Sequence, residues 1–199
     1  MVLLLIRHGK TAGNLEMRYV GTTDESLCPK GIRELKKRVY PSVDCVIASP
    51  MKRCVETARI LFGIDVLVRI CGGLREMDFG VFEYHNYEEL NGDPMYQAWI
   101  DSGGTMAIPK GESREIFSRR CVRAFEEQVD QLIREKSADC RAAFVVHGGT
   151  IMAVMEQFGI PRKAYYDWQI KNGQALLLKM DPAEWIHGKK ELTVVDRIV

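Results

Sequence analysis

The sequence predicts an α/β protein: a three-layer α/β/α sandwich with a mostly parallel central sheet and a small inserted helical cap. Three observations lead there. Short continuous apolar runs at residues 2–6, 44–48 and 142–146 read as strands buried on both faces. They alternate with longer stretches of helical periodicity, as βαβ units do. Between residues 71 and 111 this alternation lapses into aromatic and polar segments punctuated by Gly and Pro, as an insertion would.

Taken in order, Val2 to Ile6 form the first strand, followed at once by Arg7, His8 and Gly9. Residues 11–29 are polar and read as loop. Helical spacing begins at Pro29, with Ile32, Leu35 and Val39 on one face, and ends before Pro41. After the strand at 44–48, Ser49 offers an N-cap and Pro50 a first helical position. Val55, Ala58 and Leu61 give that helix its apolar face, and Gly63 ends it. Residues 65–70 form a third short strand. A long amphipathic helix runs from Glu112 to about Ser137, with Phe117, Cys121, Phe125, Val129 and Leu132 on one face. The strand at 142–146 ends in His147-Gly148-Gly149-Thr150. The helix after it, 151–158, is apolar nearly all round and is expected to be buried. Residues 174–180 and 192–198 are strand-like. No repeat or linker divides the chain, which reads as one domain, 1–199, with its cap insertion at about 78–111.

Composition narrows the function. Hydrophobic residues at 46% and charged residues at 28% are ordinary for a globular protein, and 199 residues can bury a sizeable core. A net charge of +1 gives no general attraction to nucleic acid or to an anionic membrane, so any anion site must be a local cluster. Lys36-Lys37-Arg38, the longest basic run, reads as a solvated helix face. The six cysteines never form CxxC and show no zinc spacing with histidine, which points to reduced core thiols in a cytoplasmic protein. The apolar run at 2–6 is too short for a signal peptide, and no stretch has the length of a membrane span. A monomer and a homodimer both fit the sequence.

The chemistry converges on one sheet edge. Arg7 and His8 follow the first strand, Arg53 lies in the first turn of the helix after the second, Glu76 follows the third, and His147 ends the strand at 142–146. In parallel βα units the carboxyl ends of strands and the starts of helices share an edge, which is where ligands bind. Helix starts near Pro50 and Gly148 add free amides and positive dipole ends. Taken singly, each residue has an ordinary structural explanation: a hydrogen-bonding histidine, a surface arginine, an exposed carboxylate. Together they make a site for a dianionic tetrahedral oxyanion, phosphate being the obvious candidate. Other phosphate motifs fail. Leu4 stands where GxxxxGK[ST] needs glycine, no Cys has an Arg six residues on, no two Asp lie two apart, and GxSxG is absent. Histidine is the remaining nucleophile on this edge.

Leu5-Ile6-Arg7-His8-Gly9-Lys10-Thr11 with Asn14 resembles the RHG signature of the histidine phosphatase superfamily, the phosphoglycerate-mutase-like group. The likeness continues in order through residues 49–58, 74–80 and 145–149, and so covers most of the chain. The resemblance implies that His8 attacks phosphorus and carries a phosphohistidine. It implies that Arg7, Arg53 and His147 bind phosphoryl oxygens, with Asn14 and the Gly148 amide assisting, and that Glu76 protonates the leaving oxygen and later activates water. No metal or cofactor is implied, because the arginines and His147 neutralise the charge. The implied partner is a small phosphorylated metabolite, with neither nucleic acid nor membrane involved.

Within that superfamily the chain resembles the α-ribazole phosphatases, which dephosphorylate a nucleotide-loop precursor in cobalamin assembly. The stretches that carry this are 18–24, 77–83 and 108–113. The implied substrate-contacting residues are Gly21, Thr22, Lys10 and Tyr84. Two of these depart from the family pattern: Lys10 replaces an acidic or amide residue, and Tyr84 stands where many relatives carry glycine. The cap aromatics Phe79, Phe82, Tyr84, Tyr87, Tyr96 and Trp99 are candidates to stack on a base-like ring or to pack the cap's own core. A phosphoglycerate mutase, a sugar-phosphate phosphatase and a phospholigand-binding module without turnover remain as alternatives.

Overall fold

A seven-stranded sheet organises the computed structural model, which describes residues 1–199. Its strands are β1 (Val2–Arg7), β2 (Cys45–Ala48), β3 (Val68–Ile70), β4 (Arg141–Val146), β5 (Gly159–Ile160), β6 (Ala175–Lys179) and β7 (Leu192–Ile198), in the spatial order β3-β2-β4-β1-β6-β7-β5. The four strands β3, β2, β4 and β1 run parallel, and β6 and β7 add antiparallel pairs beyond β1. One half is therefore a doubly wound α/β sheet, and all its strands end on the same edge.

Alternation along β1 explains the layers. Leu3 and Leu5 face one side, where they meet Phe144 and Val146 of β4 and the apolar faces of α5 (Arg114–Glu135) and α6 (Gly148–Phe158). Leu4 and Ile6 face the other, against Ala143, Val145 and Cys54 and Ala58 of α3 (Lys52–Phe62). All four β1 residues are essentially inaccessible, so a run with no polar position suits this strand. The sandwich predicted from the buried runs is the fold observed.

The remaining helices are α1 (Ala12–Leu15), α2 (Pro29–Leu35), α4 (Pro94–Asp101) and α7 (Pro182–Ile186). Three expectations need correction. Residues 11–29 are not all loop, because α1 forms on a reciprocal cap: Thr11 Oγ1 accepts from the Asn14 amide and Asn14 Oδ1 from the Thr11 amide, both at 3.3 Å. Helix α2 stops at Leu35, which leaves Val39 exposed rather than on its apolar face. Helix α3 starts at Lys52 with Met51 as cap residue, not at Ser49-Pro50. Its first amide is taken instead by Asp24 Oδ1 at 2.7 Å, across a gap no local pattern spans.

Residues 78–111 contribute a 3₁₀ turn (Gly80–Phe82) and α4, and no strand. Phe82, Leu90, Tyr96, Trp99 and Ile108 bury one another in a cluster of their own, closed by Phe117 and Cys121 of α5 and by Ala153 and Tyr165. No helix of the protein is long and apolar enough to cross a membrane.

Candidate active site

The floor of the site is built where β1 and β4 end side by side. His8 and His147 lie one residue beyond these strands, their rings edge-to-face with centroids 5.1 Å apart, and both are buried. His8 Nδ1 lies 2.7 Å from the Gly9 carbonyl oxygen. A carbonyl only accepts, so Nδ1 carries the proton and Nε2 keeps its lone pair. For His147 the assignment runs the other way. Arg53 Nε donates to His147 Nδ1 at 3.4 Å, which leaves the proton on Nε2, 2.7 Å from Ser49 Oγ. Ser49 is free for this contact because Asp24, not Ser49, caps α3. Burial, followed by the charges of Arg53 and Arg7, holds His8 well below its usual pKa; burial and Arg53 do the same for His147. Both rings are neutral near pH 7.

The cations flank these rings. Arg7 Nη1 donates to the Ile170 carbonyl at 2.7 Å, while its Nε is buried without a partner. Its guanidinium lies against the start of α6, where a Cβ on Gly148 would stand only 3.2 Å from Arg7 Cζ. An orphaned buried N–H is rare and costly, and here it adjoins the free amides and positive end of a helix. Arg53, the second residue of α3, is wholly buried. It donates to the carbonyls of Thr23, Gly21 and Val20 as well as to His147, so it clamps the loop at 20–23 beneath the rings. Asn14 completes the set. Its Oδ1 accepts from Thr11 and from Asn172 Nδ2 at 3.1 Å, which fixes the amide and leaves Asn14 Nδ2 as a free donor.

Glu76 reaches the same edge from the loop after β3. Its oxygens accept from the Met77 amide at 3.0 Å and the Gly149 amide at 3.1 Å. A Cβ on Gly149 would stand 2.3 Å from Glu76 Oε1, so only glycine admits the carboxyl here. Burial raises the Glu76 pKa above the ordinary carboxylate value, against the lowering pull of the two amides and of Arg53 and Arg7. The result is a carboxyl group that holds a proton more readily than a surface glutamate.

These groups open on a cleft of about 260 Å³, lined by Arg7, His8, Asn14, Glu76 and Gly148 and by the aromatic residues Tyr19, Phe79, Trp99, Tyr165 and Tyr166. The structure therefore brings together seven of the predicted residues: Arg7, His8, Asn14, Glu76 and Gly148 in the cleft wall, with Arg53 and His147 directly beneath. It does not bring the four substrate candidates there. Lys10 Nζ pairs with Glu34 of α2 at 3.0 Å. Tyr84 donates its hydroxyl to Glu25 at 3.3 Å and lies under Arg18, 5.2 Å from its ring centre, at φ +62°, a conformation glycine adopts freely. Gly21 is buried with its carbonyl on Arg53 and its amide on Glu83. Thr22 faces a separate polar hollow behind Glu76.

The family model described as "Histidine phosphatase superfamily (branch 1)" matches residues 3–190. The chain belongs to the histidine phosphatase superfamily. Among relatives, it is 29% identical over 182 residues to the "Adenosylcobalamin/alpha-ribazole phosphatase" of Salmonella typhimurium, with 87% of each chain covered. It is 27% identical over 201 residues to "Probable phosphoglycerate mutase GpmB" of an Enterobacter species, covering 92% of this chain and 86% of that one. The crystal structure of the alpha-ribazole phosphatase from Shigella flexneri superposes with a TM-score of 0.81 at 25% identity, over 98% of this chain and 94% of that one.

Some parts of this histidine phosphatase site carried no sequence signal. Asn172 donates to the His8 carbonyl at 3.2 Å and to Asn14, yet reads as one polar residue in a turn. Arg120 of α5 donates to the carbonyls of Gly73, Arg75 and Glu76 and pairs with Glu112, whose carboxylate also accepts the Asp78 amide. That pair holds both ends of the segment bearing Glu76. In the sequence it is two more charges among many on a helix face.

Proposed function

We propose that this histidine phosphatase is a phosphomonoesterase that hydrolyses a small phosphorylated metabolite through a phosphohistidine at His8, with α-ribazole 5′-phosphate as the substrate. The observation that carries the reading is the tautomer of His8. Its proton is tied to the Gly9 carbonyl, and Nε2 is left as an unprotonated nucleophile beside Arg7, whose Nε–H is orphaned.

In the first step His8 Nε2 forms a bond to phosphorus as the ester P–O bond breaks, and Glu76 gives its proton to the leaving oxygen. Arg7, Asn14 Nδ2 and the Gly148 amide hold the equatorial oxygens, while Arg53 supplies positive charge from beneath and neutral His147 packs against the His8 ring. In the second step the Glu76 carboxylate takes a proton from water, the hydroxyl oxygen bonds to phosphorus, and the N–P bond breaks to release phosphate and neutral His8. Phosphoryl transfer asks the protein mainly for in-line positioning and spread positive charge, which this edge supplies.

The substrate assignment draws on relatives named for α-ribazole phosphate and on an aromatic cleft of metabolite size. The GpmB relative favours a second reading, in which the same phosphohistidine returns its phosphoryl group to a phosphoglycerate. Kinetics with both compounds decide between them. The phosphomonoesterase releases inorganic phosphate from α-ribazole 5′-phosphate with a kcat/KM well above that for sugar phosphates. Isomerisation of 3-phosphoglycerate without phosphate release would establish the mutase instead.

A further inference from the structure

One corner of the cleft holds donors that the protein leaves unpaired or weakly paired. Arg114, the first residue of α5, lines the cleft and forms no ion pair. Its guanidinium lies 5.2 Å from the Tyr165 ring centre and 5.9 Å from that of Tyr166, and its hydrogen bond, a long 3.4 Å, runs to the Gly103 carbonyl. Trp99 lines the same cleft at 7% exposure, and its Nε1–H is buried without an acceptor. The two occupy one corner. Tyr166 donates to the same Gly103 carbonyl at 2.9 Å, and a Cβ on Gly104 would stand 2.7 Å from the Tyr166 hydroxyl and 3.5 Å from Trp99 Cζ2. Gly104 sits at φ +72°, and its lack of a side chain keeps the corner open.

Most other polar side chains of the cleft are already committed, Gln169 being exposed to solvent. Arg18 gives its donors to Glu16, Glu89 and the Tyr84 carbonyl. The Tyr19 hydroxyl bonds that of Tyr96, and the Tyr165 hydroxyl donates to the Gly149 carbonyl. Glu76, the one carboxylate in the lining, is held by two amides at the phosphoryl end. This corner thus offers one cationic and one neutral donor beside flat aromatic faces, and no side-chain carboxylate to receive them. A buried donor without an acceptor is costly, so this corner is complementary to a ligand that brings a lone pair.

We infer that this corner is the subsite for the substrate's leaving group, and that it selects a flat unsaturated ring bearing a lone-pair acceptor, received by Arg114 and Trp99. The inference rests on reading the cleft as a phosphomonoesterase site. A ring that stacks between aromatic side chains without an acceptor would leave both donors unpaired. A site built to hydrogen-bond its substrate rejects the analogue that lacks the bonding atom.

The test compares two ring compounds that differ in one atom. Benzimidazole riboside 5′-phosphate carries a ring nitrogen acceptor; the indole analogue has C–H in its place and nearly the same shape. The wild type is expected to favour the benzimidazole compound by about tenfold or more in kcat/KM, mostly through KM. Trp99→Phe keeps the ring and removes the N–H, and Arg114→Met keeps the length and removes the charge; each is expected to bring that ratio towards one. Equal handling of the two compounds by the wild type, or a ratio unmoved in both variants, would overturn the subsite. Failure of the wild type to hydrolyse even p-nitrophenyl phosphate would instead overturn the phosphomonoesterase reading. In that event the ratios are measured as affinities by titration calorimetry: tighter binding of the benzimidazole compound, lost in both variants, supports the subsite, and equal binding overturns it.

Discussion

Opposing forces meet at Glu76. Burial favours its neutral form, while two backbone amides and two nearby arginines favour its charged form; burial prevails and the pKa rises. The sign of the consequence follows. As pH rises through this elevated pKa the proton is lost, so hydrolysis of poor leaving groups falls on the alkaline side. Glu76→Gln is expected to slow alkyl phosphates by about 10²-fold or more and p-nitrophenyl phosphate by much less, since an acidic leaving group needs little protonation. The variant should also lose the alkaline decline in the alkyl-to-aryl rate ratio. Equal losses on both esters, with the pH dependence of the ratio retained, would show that Glu76 is not the acid. That His8, Arg53, Glu76 and His147 meet on one edge was legible in the sequence, because parallel strands put their βα turns on the same edge. The role of Ser49 was not. Local sequence offers Ser-Pro ahead of a helix, whereas the cap comes from Asp24, and that long-range bond frees Ser49 for His147.

At the scale of elements, α5 does more than pack. Arg120 bridges α5 to the carbonyls of Gly73, Arg75 and Glu76, Glu112 closes the bridge at the Asp78 amide, and both side chains are largely shielded from solvent at 23% and 19% exposure. The pair acts as a positioning device: it fixes where the carboxyl sits without touching the reacting atoms. Arg120→Ala leaves the Glu112 carboxylate and three carbonyls short of donors, at a cost of about 1–3 kcal/mol in stability. It is expected to lower kcat for alkyl phosphates more than for p-nitrophenyl phosphate, with Arg120→Lys recovering part of the loss. A fall that is uniform across leaving groups would make the pair purely structural. The strands were legible because a buried parallel strand is a bare apolar run. The small helix α1 was not, since four residues show no periodicity and its capping pair, Thr11 and Asn14, is equally at home in a turn. Lys10 and Tyr84 stood out in the sequence as unusual, yet one pairs with Glu34 and the other occupies a left-handed turn, both outside the cleft.

For the whole molecule, one edge of one sheet collects a neutral imidazole with a free Nε2, a buried carboxyl whose pKa is raised and the unpaired donors of Arg7 and Asn14. The segment at 78–111 supplies Phe79 and Trp99 to the cleft beside that edge, and α5 supplies Arg114. The sequence could indicate that aromatics were abundant there, but not which would line the cleft. Phe82 and Tyr96 turn inward to their own core, while Tyr165 and Tyr166, from a stretch with no motif, face the cleft. The central claim is that phosphorus passes through His8. Its most direct test is to mix enzyme with p-nitrophenyl phosphate, quench in alkali after a few milliseconds, and map the phosphorylated peptide by mass spectrometry. A phosphohistidine at His8, absent from a folded His8→Ala variant that has also lost turnover, is the predicted result. Full turnover in His8→Ala, or phosphate carried on any other residue, would contradict it.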